Sequence, residues 1–132
     1  IDTTFKPVDA TFSDLASLDV TAPTVAFTSS SGVTNLVVTF SEAIYVGGVA
    51  VANGATIDVS NFTLSDATKT ITSATYASAD KTITFVLPAA VADNATITAN
   101  ASFTDASGNS SASTIVGYLD ATTDSKWEVA AD

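Results

Sequence analysis

The chain has 132 residues with 4 cations against 14 acids, a formal net charge of −10 at pH 7, and no arginine, histidine, cysteine or methionine. A surface that negative excludes a protein built to hold nucleic acid or an anionic membrane, because phosphate groups are captured by positive charge. The missing side chains exclude Cys/His zinc sites, disulfides, haem ligation and every histidine-based triad, so any metal bound here is held by oxygen, the donor that hard cations such as Ca²⁺ take.

Serine and threonine exceed a quarter of the chain, and the apolar residues are mostly small or β-branched, which favours strands over helices. A chain opening on Ile1 without methionine reads as part of a longer polypeptide. Residues 1–18 are expected to form a connector, with Phe12, Leu15 and Leu18 spaced for one short helical face and Ser13 or Asp14 as its cap. From Pro23 onward the pattern has a period of two. Val25 and Phe27 alternate with Ala26 and Thr28, and Leu36, Val38 and Phe40 alternate with Val37 and Thr39.

The stretch from Val46 to Ile57 is glycine-rich. Within it, Asn53-Gly54 between Val49-Ala50-Val51 and Ile57-Asp58-Val59 predicts a hairpin. Ile71 opens a strand-like run through Tyr76, and the Ser78 to Lys81 turn joins it to Ile83, Phe85 and Leu87, which share one face. Ile97, Ala99, Ala101 and Phe103 are predicted to share another. Ile115, Val116, Tyr118 and Leu119 form a last strand or a junction to a following module. Near the end Trp127 has two readings, a packed terminal strand or an aromatic platform for carbohydrate. No apolar stretch is long enough to span a membrane. Turn clusters at these intervals predict an all-β, immunoglobulin-like antiparallel β-sandwich of about seven strands over residues 19–112, with 113–132 as last strand or junction.

Three segments carry a resemblance. Asp19-Val20-Thr21-Ala22-Pro23-Thr24-Val25, Val37-Val38-Thr39-Phe40-Ser41-Glu42-Ala43-Ile44 and Thr104-Asp105-Ala106-Ser107-Gly108-Asn109 resemble, in order, motifs of the Ig-like domains of bacterial S-layer proteins and large surface adhesins. Asn61-Phe62-Thr63-Leu64, Ile71 to Tyr76 and Lys81 to Phe85 fit the same pattern between them. The resemblance implies an extracellular, non-catalytic module of the bacterial cell surface. It would work in tandem with neighbouring domains of its own chain and self-associate in a lattice. An adhesin extender or ligand-binding module and a carbohydrate-binding accessory module are the alternatives.

The resemblance also implies a Ca²⁺ site, formed at one pole by Asp19, Glu42, Asp105 and Asn109, with Asp66 or Asp14 as additions. Ca²⁺ takes six to eight oxygens, and the ion would offset repulsion among the acids. The plainer reading is that Asp105 and Asn109 shape a turn around Gly108 while the other acids are solvated. Lys69 and Lys81 flank turns, where a solvated lysine is the ordinary reading and an isopeptide crosslink to asparagine the exceptional one. Asp58, Asp66, Asp80 and Asp93 lie in turns with nothing nearby to make a general acid, so no enzyme is expected. Four Asn-x-Ser/Thr triplets, at Asn61, Asn94, Asn100 and Asn109, identify nothing in a chain this rich in Ser and Thr.

Overall fold

The computed structural model describes residues 18–131. The helical face expected of Phe12 and Leu15, and its cap at Ser13 or Asp14, lie outside the described residues. Eleven strands form among them: β1 (Val25–Ser30), β2 (Asn35–Phe40), β3 (Tyr45–Val46), β4 (Val49–Ala50), β5 (Phe62–Leu64), β6 (Ser73–Ala77), β7 (Thr82–Val86), β8 (Thr96–Ala99), β9 (Phe103–Thr104), β10 (Thr114–Asp120) and β11 (Lys126–Glu128).

Every strand pair is antiparallel. One sheet runs β1-β2-β7-β6, a second runs β11-β10-β8-β5, and a small third runs β4-β3-β9. If β3, β4, β9 and β11 are set aside, the remaining seven strands place the first, second, fifth and fourth in one sheet and the third, sixth and seventh in the other. That is the strand order of an immunoglobulin constant-type sandwich.

The alternation read from the sequence fills the core. Leu36, Val38 and Phe40 on β2, and Ile83 and Phe85 on β7, are buried, as are Ile97 and Ala99 on β8. Aromatic rings bridge the layers: Phe62 stands edge-on to Phe85 with centroids 4.6 Å apart, and Phe103 lies 5.1 Å from Phe40 and 5.4 Å from Phe62. Aromatic burial of this kind carries a large share of core stability.

Two local expectations are corrected. The hairpin forms one turn earlier, at Gly47-Gly48, where φ of +61° and +80° supplies the two left-handed residues that a tight hairpin needs. At Asn53-Gly54 only Gly54 is left-handed, and the chain then runs along β6 instead of returning to Val49. Gly54 and Ile57 donate to the carbonyls of Tyr76 and Ala74, while Tyr76 donates to the carbonyl of Ala55. Residues 54–57 are thus a strap on the edge of the first sheet.

The second correction concerns Ala101, which is exposed and does not continue the face of Ile97 and Ala99. The chain turns between Asn100 and Ser102, and Phe103 enters the core from the third sheet. Of the two readings given for residues 113–132, a last strand or a junction, the chain there forms strands of the sandwich. β10 lies between β8 and β11, and Val116, Leu119 and Trp127 are core residues. Trp127 is fully buried, with its indole N–H donated to the Val33 carbonyl at 2.9 Å, so it is no carbohydrate platform.

Candidate metal centre

Three chain segments meet at one end of the sandwich. The segment leading into β1 is held there because Thr24 donates to the Ser41 hydroxyl and Ser41 donates back to the Thr24 carbonyl, at 2.9 and 2.8 Å. Glu42 is the next residue. Asp19 accepts the Thr21 amide at 2.9 Å, the self-made turn that aspartate favours. The third segment is the loop between β9 and β10, built around Asp105.

Asp105 is 2% exposed. One carboxylate oxygen accepts the backbone amides of Ser107 and Asn109 at 2.8 and 2.9 Å, and the other accepts the Asn109 side-chain amide at 2.8 Å. Gly108 closes the loop at φ +88°, a conformation for which glycine is suited.

One carboxylate oxygen from each of Asp19, Glu42 and Asp105 lies within 4.8 Å of the other two. Asn109 joins them differently from a ligand. Its amide nitrogen faces three oxygens: Asp105 Oδ2, the Asp19 carbonyl at 2.9 Å and the Thr21 carbonyl at 3.5 Å. Since all three are acceptors, the nitrogen and not the oxygen must point inward. Asn109 is therefore a brace. Asp66 lies elsewhere, accepting from Thr68 and from the Ala92 amide, and Asp14 is outside the described residues.

The charges respond to this crowding. Glu42 is held above the ordinary glutamate range by its partial burial, then by Asp105 and Asp19, while Lys81 acts in the opposite direction. Asp105 is lowered, first by the Asn109 side-chain hydrogen bond and against the effect of burial, with the amides of Asn109 and Ser107 assisting. One acid is thus fixed as an anion while its neighbour resists ionising.

A second acidic group was missed in the sequence. Asp120, Asp124 and Glu128 also bring carboxylate oxygens within 4.8 Å, at the exit of β10. The β10–β11 register brings two of them together: it pairs Tyr118 with Glu128 and Asp120 with Lys126 and so sets Asp120 and Glu128 on one face. Asp120 Oδ1 accepts from the amides of Thr122 and Thr123, which shapes the turn between the strands. Either group could hold a metal ion. A groove of about 620 Å³ between β1 and β11 is lined by Phe27, Ser29, Lys126, Glu128 and Val129 and includes none of Asp19, Glu42, Asp105 and Asn109.

Fold and site together define an antiparallel β-sandwich with an acidic, oxygen-lined centre at one end. Comparison with protein-family models, with curated proteins and with solved structures found no match to this chain. Among the described residues no helix is long and apolar enough to cross a membrane.

Proposed function

We propose that this chain is a structural module of a bacterial cell-surface protein of the S-layer kind, stabilised by Ca²⁺ bound among Asp19, Glu42 and Asp105. The observation that carries the reading is the meeting of those three carboxylates, drawn from three separated segments. Oxygens on opposite sides of a Ca²⁺ ion stand about 4.6–5.2 Å apart, given Ca–O distances of about 2.3–2.6 Å, so the three acids fit one ion with little movement. Mg²⁺ demands near-ideal octahedral geometry and sheds its water reluctantly, whereas Ca²⁺ accepts an irregular set of oxygens such as this one.

Bound there, the ion would neutralise the acids and tie the segment entering β1 to the β9–β10 loop. The module's work is then mechanical: a sandwich that resists extension, oriented to its neighbours by a rigid junction. It is extracellular and non-catalytic, and its surface makes lattice contacts with other copies. An extender module of a large adhesin is the second reading, since the same centre would stiffen a linear array. Burial of Trp127 removes one of the aromatics on which a carbohydrate-binding reading rested, the tyrosines being the others.

Calorimetric titration with Ca²⁺, paired with thermal unfolding, tests the centre. At a free concentration about 100-fold above Kd, binding to the folded state alone adds about 2.7 kcal/mol. That corresponds to roughly 10 °C in Tm for a domain of this size. No binding heat and an unchanged Tm would refute the calcium reading. For the lattice reading, the parent protein should form Ca²⁺-dependent two-dimensional sheets, whereas elongated monomers in scattering would favour the adhesin extender.

A further inference from the structure

Asn53 is followed by glycine, whereas the other asparagines precede Leu36, Phe62, Ala95, Ala101 and Ser110. A backbone nitrogen can attack the side-chain amide of a preceding asparagine, and a Cβ on the attacking residue crowds that approach. Gly54 has none, and nothing stands within 4 Å of where one would be. Asn53 itself is exposed to water.

The strap opposes the reaction. The Gly54 N–H is donated to the Tyr76 carbonyl at 2.7 Å, and Asn53 Oδ1 accepts the Ser78 amide at 3.0 Å. While both bonds hold, the nucleophile's proton is engaged and the side chain is kept against the β6–β7 turn. Beyond Gly54 the strap is fastened by the Ile57 amide on Ala74 at 2.8 Å and by the buried Ile57 side chain.

We propose that Asn53 is a site of spontaneous conversion to aspartate and isoaspartate, gated by release of the strap from β6. On release the Gly54 nitrogen gives its proton to solvent base and bonds to Asn53 Cγ. The bond from Cγ to the side-chain nitrogen breaks, and ammonia leaves. Water then opens the cyclic imide at either carbonyl, giving an aspartyl or an isoaspartyl link with no change of oxidation state. The isoaspartyl link routes the backbone through Cβ and Cγ, adding a methylene just before the strap. Residues 54–57 then lose register with Ala74 to Tyr76, and the edge of β6 loses its cover, leaving a strand free to pair with another chain.

The test incubates the folded protein at mildly alkaline pH beside a peptide of residues 50–59, with conversion followed by peptide mapping and isoaspartate detection. Conversion should be confined to Asn53 and at least about tenfold slower in the folded protein than in the peptide, as protection by local structure requires. Ile57→Ala should remove most of that protection, and Asn53→Ser should abolish the modified species. Should Ile57→Ala not fold, the native chain in urea below its global transition serves instead, and conversion should rise with urea as the strap opens. Equal rates in protein and peptide, earlier conversion at another asparagine, or a rate indifferent to both Ile57→Ala and urea would overturn the proposal.

Discussion

The side-chain nitrogen of Asn109 lies 2.9 Å from the carbonyl oxygen of Asp19, 90 positions away in the chain, and 2.8 Å from Asp105 Oδ2. One amide therefore orients the buried acid and ties the segment before β1 to the loop before β10. Asn109→Ala should cost about 1 kcal/mol or more, roughly 4 °C in Tm, because hydrogen bonds to charged groups are among the stronger ones. Asn109→Asp should lower the metal-free Tm further, by adding a fourth carboxylate, and should enlarge the rise in Tm on adding Ca²⁺. Thermal scans with and without chelator check both.

Glu42 provides a cleaner test of the centre than Asp105, whose substitution also unmakes the loop through Ser107 and Asn109. Its folded pKa is raised, by burial first and then by Asp105 and Asp19. A raised carboxyl favours folding while protonated, and that contribution is lost as pH rises through the raised value. Glu42→Gln should therefore equal or exceed the native Tm at neutral pH in chelator, converge with it in acid, and lose the response to Ca²⁺. A lower Tm in chelator at neutral pH would contradict this account.

Acid should destabilise the metal-free protein through a different set of groups. Asp105 is lowered first by Asn109, Asp66 by the Thr68 hydroxyl and then the Ala92 amide, and Asp58 by the Ser60 amide. Each stabilises the fold above the ordinary aspartate value of about 3.9, and that contribution is lost as pH falls through the lowered values. In Asp66→Ala the fall in Tm between neutral pH and pH of about 3 should be smaller than in the native chain, from a lower starting point.

Gly117 on β10 has no room for a side chain. A Cβ would stand 2.9 Å from Leu36 Cδ2 and 3.2 Å from Trp127 Cε3, both on fully buried residues. Gly117→Ala should lower stability by about 1–3 kcal/mol through overpacking, and Trp127→Ala by about 3–5 kcal/mol through the cavity it leaves. Urea melts distinguish the two magnitudes.

A chain cut after residue 112 should not fold. It would lack β10, the strand between β8 and β11, along with Val116, Leu119 and Trp127 from the core. Absence of a cooperative thermal transition in such a fragment is the expected result, and a transition like the parent's would count against β10 as a core strand.

Much of the sandwich was legible because side-chain alternation is a local property. Leu36, Val38 and Phe40 face inward wherever β2 pairs, and the Ser78 to Lys81 turn joins strands that are neighbours in sequence. What alternation does not carry is the identity of distant partners. Asn53-Gly54 has the composition of a hairpin turn, yet residues 54–57 bond to β6 while Val49–Ala50 pairs with β3. Phe103 continues the alternating run from Ile97, but the turn at Ala101 delivers it to another sheet.

The acidic centre divides in the same way. By itself the sequence determined that a metal here must be held by oxygen, since no histidine, cysteine or methionine exists to do otherwise, and its resemblance to Ig-like surface modules marked Asp19, Glu42, Asp105 and Asn109 as candidates. Only the tertiary structure decided that three carboxylates from separate segments share one small volume, that Asn109 braces them with its nitrogen, and that Asp120, Asp124 and Glu128 form a second group. The reason is physical: residue chemistry belongs to the chain at each position. Distances between positions far apart are set by how the sheets pack, and by which edge each loop can reach.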